Sequence, residues 1–248
     1  MSRGRFHHYD HGMVTLIIAT HNAHKVQEIA AILGEGFQCL SLDEFEDAPT
    51  PIEDGEHFGD NANIKAQAIA RYLAEKHADR FTDPETFILA DDSGLEVDAL
   101  EGAPGVHSAR FAALDTGAAG NSSDADNNAK LLRLLEGVPA EKRSARFKCT
   151  LVLMSLPHLG TQHETAFSEG TCEGRITEAG AGKGGFGYDP LFVPDGHDRS
   201  FAELGEEIKN GLSHRARAVE KLKVFFARRQ RGEYDDEPNC AGTADPTD

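Results

Sequence analysis

The sequence predicts an α/β fold with a mixed sheet, and three observations carry that expectation. Short β-branched apolar runs alternate with helical periodicity in the first part of the chain, two longer strand-like segments follow in the middle, and an amphipathic stretch closes the pattern. Strands separated by helices need crossovers and pair in parallel, whereas two strands joined by a short turn pair antiparallel. The 248 residues are enough for one large domain or two lobes sharing a core.

Val14 to Ala19 reads as a buried strand. A helix follows from Ala23 to Leu33, with Val26, Ile29, Ala30 and Leu33 on one stripe. Phe37 to Ser41 reads as a second strand, and 43–59, acidic and rich in Pro and Gly, as a loop. Asp60 to Lys76 is helical, with Asp60 as the expected N-cap and Ile64, Ala68 and Tyr72 on one stripe. Phe87 to Ala90 reads as a strand that ends at Asp91 and Asp92, and Ser122 to Leu135 as a helix. Phe147 to Leu156 and Thr161 to Gly174 form the strand pair, joined by a turn at Pro157-His158-Leu159-Gly160. The last helix spans Ser213 to Arg229, with Val219, Leu222 and Phe226 facing inward.

Residues 1–12 read as a flexible leader, 13–231 as one folding unit, and 232–248, acidic and without Lys or Arg, as a disordered tail. No apolar run approaches the roughly 18 residues that span a bilayer, and the leader has no apolar signal segment, so a cytoplasmic location is the default. Cys39, Cys149, Cys172 and Cys240 lack metal-site spacing and read as reduced thiols. The formal charge of −17 argues against sequence-independent binding of DNA or RNA. A nucleotide remains compatible with that charge where cations gather locally and a divalent metal shields the phosphates.

Three segments hold the candidate chemistry. Thr20-His21-Asn22-Ala23-His24-Lys25 joins a strand to a helix, where backbone N–H groups and the positive helix end suit an anion. The same residues equally suit a plain helix cap with a solvated Lys25. Asp91 and Asp92 follow a strand and precede Ser93-Gly94. Paired carboxylates suit Mg²⁺ or an attacking water, but also an ordinary turn. Adjacent residues on an extended chain point to opposite sides, so the two aspartates have different roles. Further acids lie between Glu53 and Asp60, some within reach of a metal and some merely solvated, and Asn61 and Lys65 share a helix face. In Gly184-Gly185-Phe186-Gly187-Tyr188-Asp189, the glycines permit close backbone approach, Phe186 offers a face to a purine, and Asp189 accepts from a ring N–H. Lys209 and Arg215 supply donors suited to a 6-oxo group, and His214 suits either the base or a phosphate; Phe186 as a core aromatic and Arg215 as a surface residue are the plain alternatives. Arg110 fits either substrate binding or a subunit contact.

Together, in order and spacing, these segments resemble the inosine triphosphate pyrophosphatase family. Phe58 to Ala66, Gly102 to Phe111, Glu173-Gly174-Arg175-Ile176 and Leu212-Ser213-His214-Arg215 add to the match, which covers nearly everything from Thr15 to Leu222. The resemblance implies a long mixed central sheet flanked by helices, two lobes around a deep nucleotide-binding cleft, a homodimer, and Mg²⁺-dependent (or Mn²⁺-dependent) hydrolysis of a purine nucleoside triphosphate. It implies dITP, ITP and XTP as substrates, with the monophosphate and pyrophosphate as products. Carried over by motif, Asp92 becomes the general base and a metal ligand, Asp91 its support, and Lys25 part of the catalytic set. Thr20 to Lys25, Asn61, Lys65 and Ser93 would meet phosphates, and Phe186, Gly187, Tyr188, Asp189, Lys209, His214 and Arg215 the base. The family reads T-F-x-E-N-A where this chain has His57-Phe58-Gly59-Asp60-Asn61-Ala62, so Asp60 replaces a glutamate expected to help the metal. A related pyrophosphatase for other modified nucleotides and a non-catalytic nucleotide-binding regulator are the competing readings.

Overall fold

The computed structural model describes residues 13–156 and 164–233. The expected leader, the turn at Pro157 to Gly160 and the tail beyond residue 233 lie outside them. Six strands form one sheet: β1 (Val14–Ile18), β2 (Phe37–Ser41), β3 (Thr86–Val97), β4 (Ser144–Ser155), β5 (Thr165–Ile176) and β6 (Phe192–Pro194). Their order is β2-β1-β3-β4-β5-β6. β1 pairs in parallel with β2 and β3, and the remaining neighbours are antiparallel, so the sheet is mixed as expected. The helices are α1 (Ala23–Leu33), α2 (Phe58–Lys76), α3 (Asp124–Leu134), α4 (Phe201–Leu204), α5 (Glu206–Leu212) and α6 (His214–Gln230). None of the described helices is long and apolar enough to cross a membrane.

Strand alternation divides the core. Leu16, Ile18, Phe87, Leu89, Leu151 and Leu153 face α1 and α6, where Ile29, Val219, Leu222 and Phe226 meet them. Ile17, Ile88, Ala90, Val152 and Met154 face the opposite way, against Ala62, Ala66, Ile69 and Leu73 of α2. A third cluster fills the far end of the long strands, with Val97, Phe147, Ile176, Phe192 and Phe201. α6 lies directly on β5. A Cβ built at Gly170 would sit 2.0 Å from the carbonyl oxygen of His214, so only glycine permits this approach. β6 pairs with β5 only from Gly174 to Ile176. Farther along β5, Arg217 and Lys221 of α6 donate to the carbonyls of Thr171 and Glu169, covering edge groups that would otherwise invite another strand.

Several boundaries differ from the expectation. β3 does not stop at Ala90; it continues through Asp91 and Asp92 to Val97, because β4 pairs with it along its whole length. The aspartates therefore lie mid-strand rather than at a strand tip. α2 begins at Phe58, two residues early, with His57 as N-cap. Asp60 is inside the first turn, where its carboxylate accepts the His57 N–H at 3.1 Å and favours the positive helix end. β4 starts three residues before the expected strand and β5 ends two residues after its own. β6, α4 and α5 were too short to give a periodic signal.

Candidate active site

The site arises where the parallel and antiparallel halves of the sheet meet. The register of β1 against β3 ends at Ile18 opposite Leu89, and β1 then turns into Thr20-His21-Asn22. β3 runs on past the end of β1, so a cavity opens beside Asp91, Asp92 and Ser93, beyond the carboxyl end of β1. Its volume is about 460 Å³. Period-2 alternation then separates the aspartates. Asp91 follows Phe87 and Leu89 towards α1 and α6, and Asp92 follows Ile88 and Ala90 towards α2.

On the α2 side, Asp92 accepts from Lys65 Nζ at 2.9 Å and from Asn61 Nδ2 at 3.3 Å. Lys65 also donates to Glu53 Oε2 at 3.1 Å, so one ammonium holds two carboxylates together. Asn61, fully buried, accepts the Gly55 N–H at 2.8 Å, and Arg110 donates to the Glu53 carbonyl at 3.0 Å. Both bonds fix the loop that carries Glu53. Glu53, Lys65, Asp92 and Arg110 line the cavity; Asn61 and Asp60 do not. Two carboxylates gathered at one cation, both oxygen donors, suit Mg²⁺, which keeps several waters and completes its shell with phosphate oxygens. Among the described residues no group of three or more His, Cys, Asp or Glu is placed to hold a metal ion.

On the opposite side, Asp91 is enclosed by cations. Lys25 Nζ lies 2.5 Å from Oδ1 and Arg215 Nε 2.9 Å from Oδ2. Ser93 Oγ donates to Asp91 at 2.9 Å and accepts from Arg215 at 2.9 Å. Arg215 also donates to Glu28, and Lys209 Nζ reaches Glu28 at 2.6 Å and Asp189 at 2.6 Å. Arg215 and Lys209 are thus buried donors held in place by acids, not surface residues. Glu28 was missed from sequence. The available signal was a lone acid beside the apolar positions Ile29 and Ile32 of α1, where burial forces it to find partners.

The turn before α1 behaves as a cap. Asn22 Oδ1 accepts the N–H groups of His24 and Lys25, and Thr20 Oγ1 accepts the Asn22 N–H. Thr20, His21, Asn22 and Lys25 still line the cavity, whereas Ala23 and His24 do not. His21 pairs at the surface with Asp43 at 3.0 Å. Across the cavity, Phe186, Gly187, Tyr188 and Asp189 form the facing loop. Asp189 Oδ2 accepts the Phe186 N–H, and a Cβ at Gly185 (φ +72°) would strike that carboxylate. Tyr188 is buried, with its hydroxyl on the Ser108 carbonyl. His214 stacks on Phe147 at 4.8 Å, and its buried Nδ1 has no hydrogen-bond partner among the described residues.

The surroundings push the two aspartates apart in acidity. Burial opposes the charge on Asp91, but Arg215 and Lys25 outweigh it and hold its carboxyl well below the usual range. Burial raises Asp92 above the ordinary carboxylate value, with Lys65 opposing. Burial also works against the Lys65 ammonium, and Asp92 and Glu53 more than offset it. Burial raises Asp189, against the pull of Lys209. His214 is held well below the usual imidazole value by burial, then by Arg215 and Lys209, and is neutral at pH 7. One constantly charged carboxylate beside one of raised pKa is the division expected of a structural anion and a proton acceptor. Cys39, Cys149 and Cys172 are free thiols, and burial raises each of them, which leaves them unreactive.

Fold and cavity define an α/β protein whose charged pocket sits at the junction of the parallel and antiparallel parts of one mixed sheet. Residues 16–225 match the model of the Ham1 family, and the chain belongs to that family. It is 47% identical over 211 residues to the dITP/XTP pyrophosphatase of Geobacillus kaustophilus, covering 85% of this chain and 93% of that one. Among solved structures, the Ham1 protein of Staphylococcus aureus superposes with a TM-score of 0.69 at 32% identity, covering 87% of this chain and 99% of its own. A nucleoside-triphosphatase / dITP/XTP pyrophosphatase from Mycobacterium abscessus superposes with a TM-score of 0.60 at 36% identity, over 84% of this chain and 98% of its own. The family expected from the motifs, and its mixed-sheet α/β architecture, are borne out.

Proposed function

We propose that the protein hydrolyses deaminated purine nucleoside triphosphates, dITP, ITP and XTP, to the monophosphate and pyrophosphate. The observation that carries this reading is the layout of one cavity. Lys25 and the turn before α1 line one part, Phe186 with Lys209, His214 and Arg215 line another, and Asp92 with Lys65 and Glu53 completes the wall. Relatives that bear the name dITP/XTP pyrophosphatase support the substrate class.

In this reading Asp92 takes a proton from the water that attacks the α-phosphorus. Lys65 and Asn61 fix the direction of the Asp92 oxygens. The α–β bridging P–O bond breaks and pyrophosphate departs, with Lys65 and Lys25 offsetting the developing charge. Asp91 stays charged and keeps Lys25 and Arg215 aligned. A divalent cation, Mg²⁺ or Mn²⁺, held by Asp92 and Glu53 together with phosphate oxygens, would neutralise the triphosphate. We assign its second protein ligand to Glu53 rather than Asp60, whose carboxylate is spent on the His57 N–H and lies off the cavity wall.

A 6-oxo purine accepts from donors such as Lys209 and Arg215, whereas the adenine amino group is itself a donor and offers these cations no acceptor. The test is pyrophosphate release from ITP, XTP, ATP and TTP with Mg²⁺ and with EDTA. Metal-dependent cleavage of ITP and XTP with ATP nearly untouched is expected. Equal cleavage of ATP overturns the base assignment, and tight ITP binding without cleavage moves the protein to the regulator class. Asp92→Asn should bind ITP and lower kcat about a hundredfold or more; near-normal kcat removes Asp92 as the base. The homodimer expected by resemblance is checked by light scattering, where the mass of a single chain would rule it out.

A further inference from the structure

We propose that His24 is a positioning residue for the base pocket: its imidazole steadies the Phe186 ring and so clasps the first turn of α1 to the loop 184–189. This inference rests on the purine triphosphate reading above. The two rings stack at a centroid distance of 5.3 Å and an interplanar angle of 12°. Phe186 lines the cavity, while His24 is exposed and does not, so the contact is made on the solvent side of the pocket wall. Lys209, which does line the cavity, places Nζ 4.3 Å from the centroid of the same Phe186 ring.

The loop that carries Phe186 has backbone ties of its own. Asp124 and Asn128 of α3 hold the Gly187 N–H and carbonyl at 2.6 and 2.8 Å, and Asp189 holds the Phe186 N–H at 2.9 Å. These fix the backbone and leave the direction of the Phe186 ring to its stacking partners. Lys209 is committed to Glu28 and Asp189, and Arg215, 5.9 Å from the same ring centroid, to Glu28 and Asp91, so His24 is the partner that can be exchanged without disturbing a buried charge. His24 is itself anchored, because its N–H donates to Asn22 Oδ1 at 3.0 Å in the helix cap. One short turn therefore serves both parts of a bound nucleotide. Thr20, Asn22 and Lys25 line the cavity on the expected phosphate side, and His24 braces the ring expected to stack on the base.

The contact is one of aromatic faces, so phenylalanine should replace histidine, and alanine should not. Steady-state kinetics with ITP should show His24→Ala raising KM about three- to tenfold, the usual scale of one aromatic pair, with a smaller change in kcat. His24→Phe should restore KM. Inhibition by inorganic tripolyphosphate should be the same in wild type and His24→Ala, since only the base side is disturbed. In Phe186→Ala the further change His24→Ala should have no added effect, the signature of a coupled pair. Backbone amide exchange of 184–189 should quicken in His24→Ala and slow again in His24→Phe. An unchanged KM, an equal loss of tripolyphosphate inhibition, full additivity with Phe186→Ala or failure of His24→Phe to restore KM each overturns the proposal. If wild type does not cleave ITP, the purine triphosphate reading has failed. The exchange data then decide the clasp alone, because unchanged exchange in His24→Ala overturns it.

Discussion

Arg215 is a structural residue as well as a candidate ligand contact. It is 1% exposed and pairs with two acids, Asp91 and Glu28, that are themselves buried. Burial opposes its charge, yet Asp91 and Glu28 together raise its pKa further above the usual value. Removing one member of a buried ion cluster leaves the others unpaired, at a cost of roughly 3–5 kcal/mol. Arg215→Ala is therefore expected to lower Tm by something on the order of 10 °C, apart from any effect on base preference. Arg215→Lys should recover little of this, since a point charge cannot reproduce bonds to Asp91, Glu28 and Ser93 at once. Calorimetry checks both, and an unchanged Tm in Arg215→Ala would show that the cluster contributes nothing net. Asp91 and Arg215 were readable from the motifs, and Glu28 was not. Nor was the pairing, because Glu28 and Arg215 lie 187 positions apart.

Secondary elements place the chemistry through two contacts. β3 sends adjacent aspartates to opposite faces, and α6 brings Ser213, His214 and Arg215 to one of those faces by lying against β5. The second contact depends on Gly170. Its added Cβ would meet backbone, the His214 carbonyl at 2.0 Å and the Ala218 N–H at 2.7 Å, and backbone in a packed interface cannot step aside. Gly170→Ala should destabilise the protein by about 1–3 kcal/mol. It should also displace the start of α6 and weaken ITP binding, whereas an alanine at exposed Gly211, which has no atom within 4 Å of its added Cβ, should do neither. Denaturant unfolding of both variants makes the comparison. Element type and order were largely legible in the sequence, because α1, α2 and α6 have long apolar stripes and β1 and β2 are short β-branched or apolar runs. The extension of β3 past Ala90 was not legible. Two aspartates and a glycine read as a turn unless a partner strand supplies hydrogen bonds, and that partner, β4, starts at Ser144.

For the molecule as a whole, stability should depend on pH through buried groups, and the signs can be worked out. His214 has a folded pKa below its unfolded value of about 6.5, so the unfolded chain binds more protons as pH falls. Its contribution is complete above about pH 6.5 and is lost as pH falls towards the folded value. Asp91 has the same sign lower down, with its contribution complete above about pH 3.9 and lost as pH falls through its depressed value. Asp92 and Asp189, raised by burial, act in the opposite sense, so the total slope is a mixture. The difference between wild type and His214→Asn isolates one group. Wild type should lose Tm relative to that variant between pH 7.5 and pH 5, and a constant difference would assign the titration elsewhere.

By itself the sequence determined the class of fold, the order of most elements and the short motifs that carry the chemistry. Those depend on local periodicity, turn residues and residue type, all of which are written within a few positions of one another. Only the tertiary structure decided that Asp92 shares Lys65 with Glu53, that Asp91 is closed in by Lys25 and Arg215, that Asp60 sits inside the first turn of α2 and off the cavity wall, and that His24 meets Phe186. The reason is physical. Ion pairing and ring stacking act over a few ångströms, and what brings Lys25, Asp91 and Arg215 within that range is the packing of α1 and α6 on one face of β3.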